Sequence, residues 1–426
     1  MHFNEDFLHY IWQYRLLGKA DLRCTNGDQL QIINQGLPNR HAGPDFSTAK
    51  LKINGQLWVG NVEIHLKSSD WKLHRHHTDR FYDTVILHVV YEDDDHVYRT
   101  DGTVVPALSL KGLVPETLLI RYNSLMTEKD FFPCAGIIGS VDRAVLNRTM
   151  EKMIAERLEE RAVEISVKME NNHHHWRESF HVLLMRCFGF KTNNIPFEML
   201  ANSIPGSILS KLRDNPLQVE ALLFGQAGFL EGEFKDEYPR KLQLEYNFLR
   251  HKYTLQPANR SVWKFMRMHP QNFPVLRIAQ LAGLLTGSNT IFDDSLACRD
   301  IKSMISLFSS VAVNPYWKNH SGFDRDCGAI PTQLGRKSIE NLVINAICTL
   351  LYSYGRYFDR EDLKKRAVKM LKKIPAERNA IVTEYKKAGL VLSNAMDSQA
   401  LLQLHKNYCS QKKCLGCEIG MRIMTG

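Results

Sequence analysis

Between Gly43 and Asp70 the chain places Asp45, Glu63, His65 and Lys67 in a pattern suited to hydrolysing a phosphodiester. Asp45 closes a Gly-Pro-Asp turn. The residues from about Thr48 to Lys67 then alternate as two strands joined at Asn54-Gly55, the strongest short hairpin signal. Glu63, His65 and Lys67 are spaced by two and project from one strand face, while Val62, Ile64 and Leu66 line the other. Asp45 and Glu63 are the groups that hold Mg²⁺ or Mn²⁺, hard cations that prefer carboxylates and keep several waters. Such a cation activates a water, and His65 or Lys67 would orient that nucleophile or neutralise developing charge. The plainer alternative is a solvated hairpin face on which Glu and Lys pair.

Neighbouring residues could extend this site. The segment DWKLHRHHTDRFYD carries Asp70, His74, His76, His77 and Asp79, a density that suits metal or phosphate contact, or simply a solvated loop. If it folds over the sheet, His77 and Asp79 are the expected contributors. His88 lies in the apolar run TVILHVVY, where a buried histidine bonded to backbone is expected. His173-His174-His175 reads as an exposed turn between helices. Glu5 opens the first helix, where an acidic residue complements the helix dipole.

A second constellation is the C-terminal CSQKKCLGCEIG. Cys409, Cys414 and Cys417 have C-x₄-C-x₂-C spacing, which sets three thiolates around a tight turn. A zinc site or an iron–sulfur cluster wants a fourth ligand, from Cys134 in FFPCAG, His405 or Cys24. Lys412 and Lys413 beside the thiols would favour the thiolate. Reduced, partly buried thiols are the plainer alternative. Cys187 and Cys348 sit in apolar helical patterns and read as ordinary buried residues. Nine cysteines, an odd number, argue against a disulfide scaffold.

The elements that must position these groups fall into two regions. Residues 5–17 read as a helix with Phe7, Leu8, Ile11, Trp12 and Leu16 on one face. A strand over 30–33, the hairpin, a strand over 84–91 buried on both faces and a strand near 104–110 follow. The expected fold is α+β: a nuclease-like mixed β-sheet with a flanking helix over residues 1–115, then a larger all-helical domain over 116–426 ending in the cysteine cluster. Helices are expected over 141–170, 176–189, 195–200, 207–212, 217–224, 245–253, 277–285, 301–308, 337–354, 360–372 and 375–388. No fixed-period repeat is present.

The 426 residues carry a net charge of +9. Residues 1–115 hold 12 basic against 14 acidic residues, whereas residues 360–426 hold 14 basic against 6 acidic. A near-neutral catalytic region joined to a basic helical one suits a polyanion, although such an excess also serves solubility. Arg267, Arg277, Lys364, Lys365, Arg366, Lys372 and Lys373 would contact phosphates, with Trp263 or Tyr246 stacking on unpaired bases. No P-loop accompanies them, so the chain alone is not a helicase. No basic leader and no long apolar run occur, giving the expectation of a cytoplasmic protein outside the membrane.

The Pro44-Asp45 and Glu63 pattern resembles the PD-(D/E)XK nuclease superfamily, whose motif is an Asp at one strand and Glu-x-Lys on the next. His65 stands where that motif has lysine, and Lys67 lies one pleat further on. The whole chain also resembles an uncharacterised bacterial domain-of-unknown-function family, through its GPDF, GNVEIHLKSSDW and TDRFYDTVILHVVYE blocks and its cysteine-rich tail. The nuclease resemblance implies Asp45 and Glu63 as metal ligands and a supplementary role for Glu5. It also implies a [4Fe–4S] cluster clasping the chain through one remote cysteine and three C-terminal ones. The function expected is metal-dependent hydrolysis of phosphodiester bonds in DNA. The rival, prompted by His65, is a non-enzymatic nucleic-acid-binding or scaffold protein on a degenerate nuclease fold. A metal-stabilised interaction module needs only the tail.

Overall fold

A computed structural model describes residues 3–18, 21–39, 41–171, 175–288 and 290–426. The protein is α+β, with an N-terminal mixed sheet and a largely helical remainder. It divides into two compact units. The first comprises Met1–Met150, Thr383–Leu390 and Leu404–Gly426; the second comprises Glu151–Val382 and Val391–Gln403. The expected division near residue 115 therefore falls inside the first unit, which also takes in the cysteine tail. His173 and His174 lie outside the described residues.

Helix α1 (Glu5–Gln13) buries Phe7, Leu8, Ile11 and Trp12, and Glu5 and Asp6 occupy its first turn, where the dipole favours them. Strand β1 (Leu30–Asn34), the short β2 (Leu37–Pro38), β3 (Phe46–Ile53), β4 (Gln56–Lys67), β5 (Val85–Glu92) and β6 (Ala107–Ser109) form one sheet. Its order is β1-β3-β4-β5-β6, with β2 paired to β3. The β1–β3 and β3–β4 pairs are antiparallel, and β4–β5 and β5–β6 are parallel.

Local chemistry explains the hairpin. Asn54 and Gly55 both have positive φ, 49° and 81°, which a type I′ turn requires and this dipeptide tolerates. Strand β4 then changes partner along its length. Its first half pairs with β3, and from Asn61 onward it also pairs with β5. Gly60 permits that change, since a Cβ there would stand 2.4 Å from Ile86 Cγ2. A parallel partner needs a crossover, and residues 68–84 provide it through helix α2 (Asp70–Leu73) and two short 3-10 turns. Trp71 anchors the crossover in a core with Val85, Val97 and Val105, its indole donating to the Tyr98 carbonyl at 3.1 Å. Strand β5 is buried from Val85 to Val90, as its unbroken apolar run demands.

Helix α3 (Glu116–Thr127) completes the first unit with the C-terminal helix Glu418–Thr425 packed on it. The long helix α4 (Arg143–Asn171) follows. In the second unit Pro274–Gly287 and Pro216–Gln226 are buried almost all round, the mark of core helices. The region is not wholly helical, because His320–Gly322 and Arg325–Asp326 pair as a two-stranded ribbon. Among the described residues no helix is long and apolar enough to cross a membrane.

Candidate metal centre

Strands β3 and β4 bring the two carboxylates together. The register sets Phe46 opposite Val62, so Asp45 and Glu63 become neighbours. The Asp45 N–H donates to Glu63 Oε2 at 3.1 Å, and the Ile64 N–H donates to Asp45 Oδ2 at 2.9 Å. Glu63 is only 5% exposed, and burial raises its pKa. The adjacent His76 opposes that rise, and the Asp45 charge adds to it.

Helix α1 packs on β4 and supplies two further groups. His9 Nε2 lies 3.3 Å from Asp45 Oδ2. Burial lowers the His9 pKa, but Asp45, with Asp6 and Glu5, more than offsets this and the net shift is upward. Burial raises the pKa of Glu5, which feels His74, His9 and Asp45. Glu5 therefore lies within electrostatic reach of Asp45 while also occupying the helix's first turn.

Of the row on β4, His65 turns inward and Lys67 does not. His65 is 2% exposed, with Nδ1 2.8 Å from His88 Nε2 and Nε2 3.1 Å from His74 Nδ1. Burial, then the charges of His88, His76 and His74, pull its pKa down to about 2. Lys67 is more than half exposed and lies 4.0 Å from Asp94, away from the carboxylates. His88 is fully buried, and burial lowers its pKa to about 3. Its side-chain partner is the His65 imidazole rather than the backbone acceptor expected from sequence.

The crossover loop contributes different residues from those expected. His77 is exposed, and Asp79 caps the turn after it by accepting the Phe81 N–H. His74 and His76 reach the site instead. His76 Nε2 lies 3.3 Å from Glu63 Oε1, and His65 Nε2 lies 3.5 Å from the same oxygen. The reason is Arg75, whose φ of 64° reverses the chain between the two histidines so that exposed His74 and buried His76 both reach His65. Asp70 is engaged locally, accepting the Lys67 N–H at 3.0 Å. Among the described residues, His65, His74 and His76 are the group whose ligand atoms all converge within 4.8 Å.

The first unit also collects the cysteines. Cys134, Cys409, Cys414 and Cys417 are all buried. Burial pushes the Cys134 thiol up, and Cys409, Cys417 and Cys414 add to the shift, so the loop cysteine lies within electrostatic reach of the tail. Burial likewise raises Cys409 and Cys414 to about 12. Phe132 stacks on Tyr385 at 3.7 Å, and Phe131 on His405 at 4.9 Å, which seats the Cys134 loop. Lys412 Nζ donates to the Met126 and Glu128 carbonyls, fastening the tail to the end of α3. Cys24 responds to burial and to Asp28 rather than to this group.

Three of the residues expected to touch nucleic acid are interior. Arg277 is buried, donating to Gln280, Asn272 and Ser338. Trp263 is buried and donates to the Ala227 carbonyl, and buried Tyr246 accepts from Gln226. Arg366 is tied to the Leu296 and Cys298 carbonyls, and Lys364 to Glu361. Arg267, Lys365, Lys372 and Lys373 are exposed.

Residues 5–380 match the sequence model of a family described as a protein of unknown function, DUF2851. No curated protein and no solved structure gave a match.

Proposed function

The chain belongs to the DUF2851 family, and we propose that it is a metal-dependent nuclease acting on DNA through Asp45 and Glu63. The observation that carries this reading is the mutual fixing of these two carboxylates across β3 and β4. They sit where the sheet passes from antiparallel to parallel pairing, with α1 packed on β4. That order of elements resembles the nuclease superfamily named above. Paired carboxylates in a partly buried setting fit Mg²⁺ or Mn²⁺, which would supply a water of lowered pKa and neutralise charge on the phosphate.

The chain's own groups would divide the remaining work. Glu63 is held in place by the Asp45 N–H. His9 reaches solvent, touches Asp45 and has a raised pKa, so it is suited to carry a proton near neutral pH. His65 occupies the motif's lysine position, where burial keeps it neutral and bonded, so it orients rather than ionises. The basic excess beyond residue 115 suits a polyanionic substrate.

The four cysteines are proposed to hold a [4Fe–4S] cluster rather than one Zn²⁺. A single zinc with Zn–S of about 2.3 Å would draw its sulfurs to about 3.8 Å from one another. Among the described residues no three thiols converge within 4.8 Å, and a four-iron cluster is wider than one ion. A second reading, binding without cleavage, is favoured by the position of Lys67 away from the carboxylates.

The test is incubation of the purified protein with labelled single- and double-stranded DNA and Mn²⁺ or Mg²⁺. Cleavage by the wild type, and its loss in Asp45→Asn and Glu63→Gln, is the expected result. Cleavage undiminished in both variants, or none by the wild type, removes the enzymatic reading.

A further inference from the structure

Glu63 has two oxygens with different neighbours. Oε2 accepts the Asp45 N–H, whereas Oε1 faces the imidazoles of His65 and His76. Two imidazole nitrogens stand near that second oxygen, and a third approaches the first of them. Glu63 Oε1 to His76 Nε2 is 3.3 Å, Glu63 Oε1 to His65 Nε2 is 3.5 Å, and His65 Nε2 to His74 Nδ1 is 3.1 Å. A tetrahedral ion with bonds of about 2.0–2.1 Å to nitrogen and oxygen sets its ligands about 3.3–3.4 Å apart. The His65–His74 separation is close to that value, and His76 joins both within 4.8 Å.

Hydrogen bonding alone does not account for the cluster. His65 satisfies both of its nitrogens through His74 and His88, yet His76 Nε2 is buried without a hydrogen-bond partner. Its 3.3 Å approach to Glu63 lacks hydrogen-bond geometry. An orphaned buried nitrogen is unfavourable by about 1–3 kcal/mol, so native structures rarely keep one without reason. A shared ion satisfies it. Two sequence-local devices hold the set together: the β4 pleat, which turns Glu63 and His65 to one face, and the left-handed Arg75, which brings His74 and His76 to that face.

We infer that His65, His74 and His76 form a binding site for one divalent transition-metal ion of the zinc class, with the Glu63 carboxylate beside it. Imidazole nitrogens select zinc, cobalt, nickel or iron over magnesium, which demands oxygen donors. The outer shell fits as well. With Nε2 on the metal, His65 carries its proton on Nδ1 and donates it to His88 Nε2 at 2.8 Å, the arrangement metal-bound histidines adopt. The site adjoins Glu63 of the proposed hydrolytic pair and requires no hydrolysis to exist.

The experiment uses the full-length chain, stripped with a chelator and titrated with Co²⁺ alone, read by visible absorption. One equivalent should give the intense ligand-field bands of a four-coordinate ion without sulfur-to-cobalt charge transfer in the near ultraviolet. His74→Ala and His76→Ala should each weaken binding by more than ~100-fold, since even outer-shell partners are worth 10–100-fold. His77→Ala, one residue from the site and exposed, should leave it unchanged. His74 is itself exposed, so its variant keeps the fold, which far-ultraviolet circular dichroism would verify. Asp45→Asn should retain the cobalt bands while losing hydrolysis, which separates this site from the hydrolytic reading. Absence of the bands, their appearance only with sulfur charge transfer, or equal binding in folded His74→Ala and His76→Ala would overturn the proposal.

Discussion

His65 Nδ1 and His88 Nε2 stand 2.8 Å apart between adjacent parallel strands, two buried imidazoles sharing a single proton. His88 has no exposure, and its other nitrogen has no partner. Truncation to His88→Ala would leave His65 Nδ1 unsatisfied and open a void in β5. The expected loss is about 3–5 kcal/mol, the sum of an unmade buried hydrogen bond and a cavity. Urea unfolding of the full chain followed by circular dichroism checks it; a change below about 1 kcal/mol would show that the pair is not structural.

The same pair makes the protein acid-sensitive. The folded pKa values of His65 and His88, about 2 and about 3, lie below the ordinary value of 6.5. Between those limits the unfolded chain binds protons that the folded chain does not. The stability they contribute is thus complete above about pH 6.5 and is lost as the pH falls. Each group contributes a slope of about 1.4 kcal/mol per pH unit in that window. Glu63 and His9, both raised, act in the opposite direction, their contribution fading as pH increases. Histidine ring resonances in a ¹³C-labelled sample should show two imidazoles neutral throughout pH 5–8. A His88→Gln variant should flatten the acid limb of the unfolding midpoint. An unchanged limb would assign the sensitivity elsewhere.

The hairpin and its carboxylate row were legible because both are local. Asn54-Gly55 dictates the turn, and the pleat dictates that Glu63 and His65 share a face. The buried strand over Val85–Glu92 was legible for the same reason, its apolar run being unbroken. The contributions of His74 and His76 were not. Two histidines separated by one residue fall on different faces of a regular helix, and only the left-handed conformation of Arg75 aligns them. An arginine gives no hint of positive φ, whereas a glycine there would have. Arg277, Trp263 and Tyr246 failed in another way: composition marks a side chain as able to bind nucleic acid, but burial depends on tertiary partners distant in sequence.

Lys67 and His9 should exchange the roles that the motif suggests. Lys67 is solvent-exposed with a loose 4.0 Å partner, so Lys67→Ala should change stability by less than ~0.5 kcal/mol. Its DNA cleavage should stay within about threefold of wild type, because surface substitutions away from the site are mild. His9→Gln should lower cleavage by about 10²-fold or more and alter the pH profile near neutrality, as removal of a general acid–base group does. Steady-state rates across pH 5.5–9 would decide, and a severe loss in Lys67→Ala would restore the lysine to the mechanism.

Arg277 and the exposed lysines should separate folding from binding. Arg277→Met removes bonds to Gln280, Asn272 and Ser338 and a stacking contact with Phe190 at 4.5 Å. A loss of about 1–3 kcal/mol follows from leaving these buried polar partners unsatisfied. Lys372→Gln and Lys373→Gln should leave stability unchanged. If they contact phosphates, each should reduce the salt slope of DNA binding by about 0.9. Fluorescence anisotropy across a salt series, beside thermal melts, measures both. Equal slopes in wild type and the double variant would remove these lysines from the interface.

The cysteine cage makes the clearest chemical forecast. Burial raises Cys134, Cys409 and Cys414, so free thiols there stay protonated and unreactive. A bound cluster would reverse that state, because metal-bound sulfur is thiolate. Protein purified without oxygen should be brown and contain about four iron and four sulfide per chain, as a [4Fe–4S] centre requires. Cys414→Ser should abolish the colour. Cys134→Ser should do so too, although it is remote in sequence, because the Phe132–Tyr385 stack seats its loop in the same unit as the tail. Cys24→Ser should retain the colour, since Cys24 lies outside the electrostatic group. A colourless protein with one zinc would instead require the four sulfurs to close to about 3.8 Å. X-ray absorption at the zinc edge would then show sulfur neighbours rather than the nitrogen and oxygen donors of the histidine site. That contrast separates the two centres in a single sample.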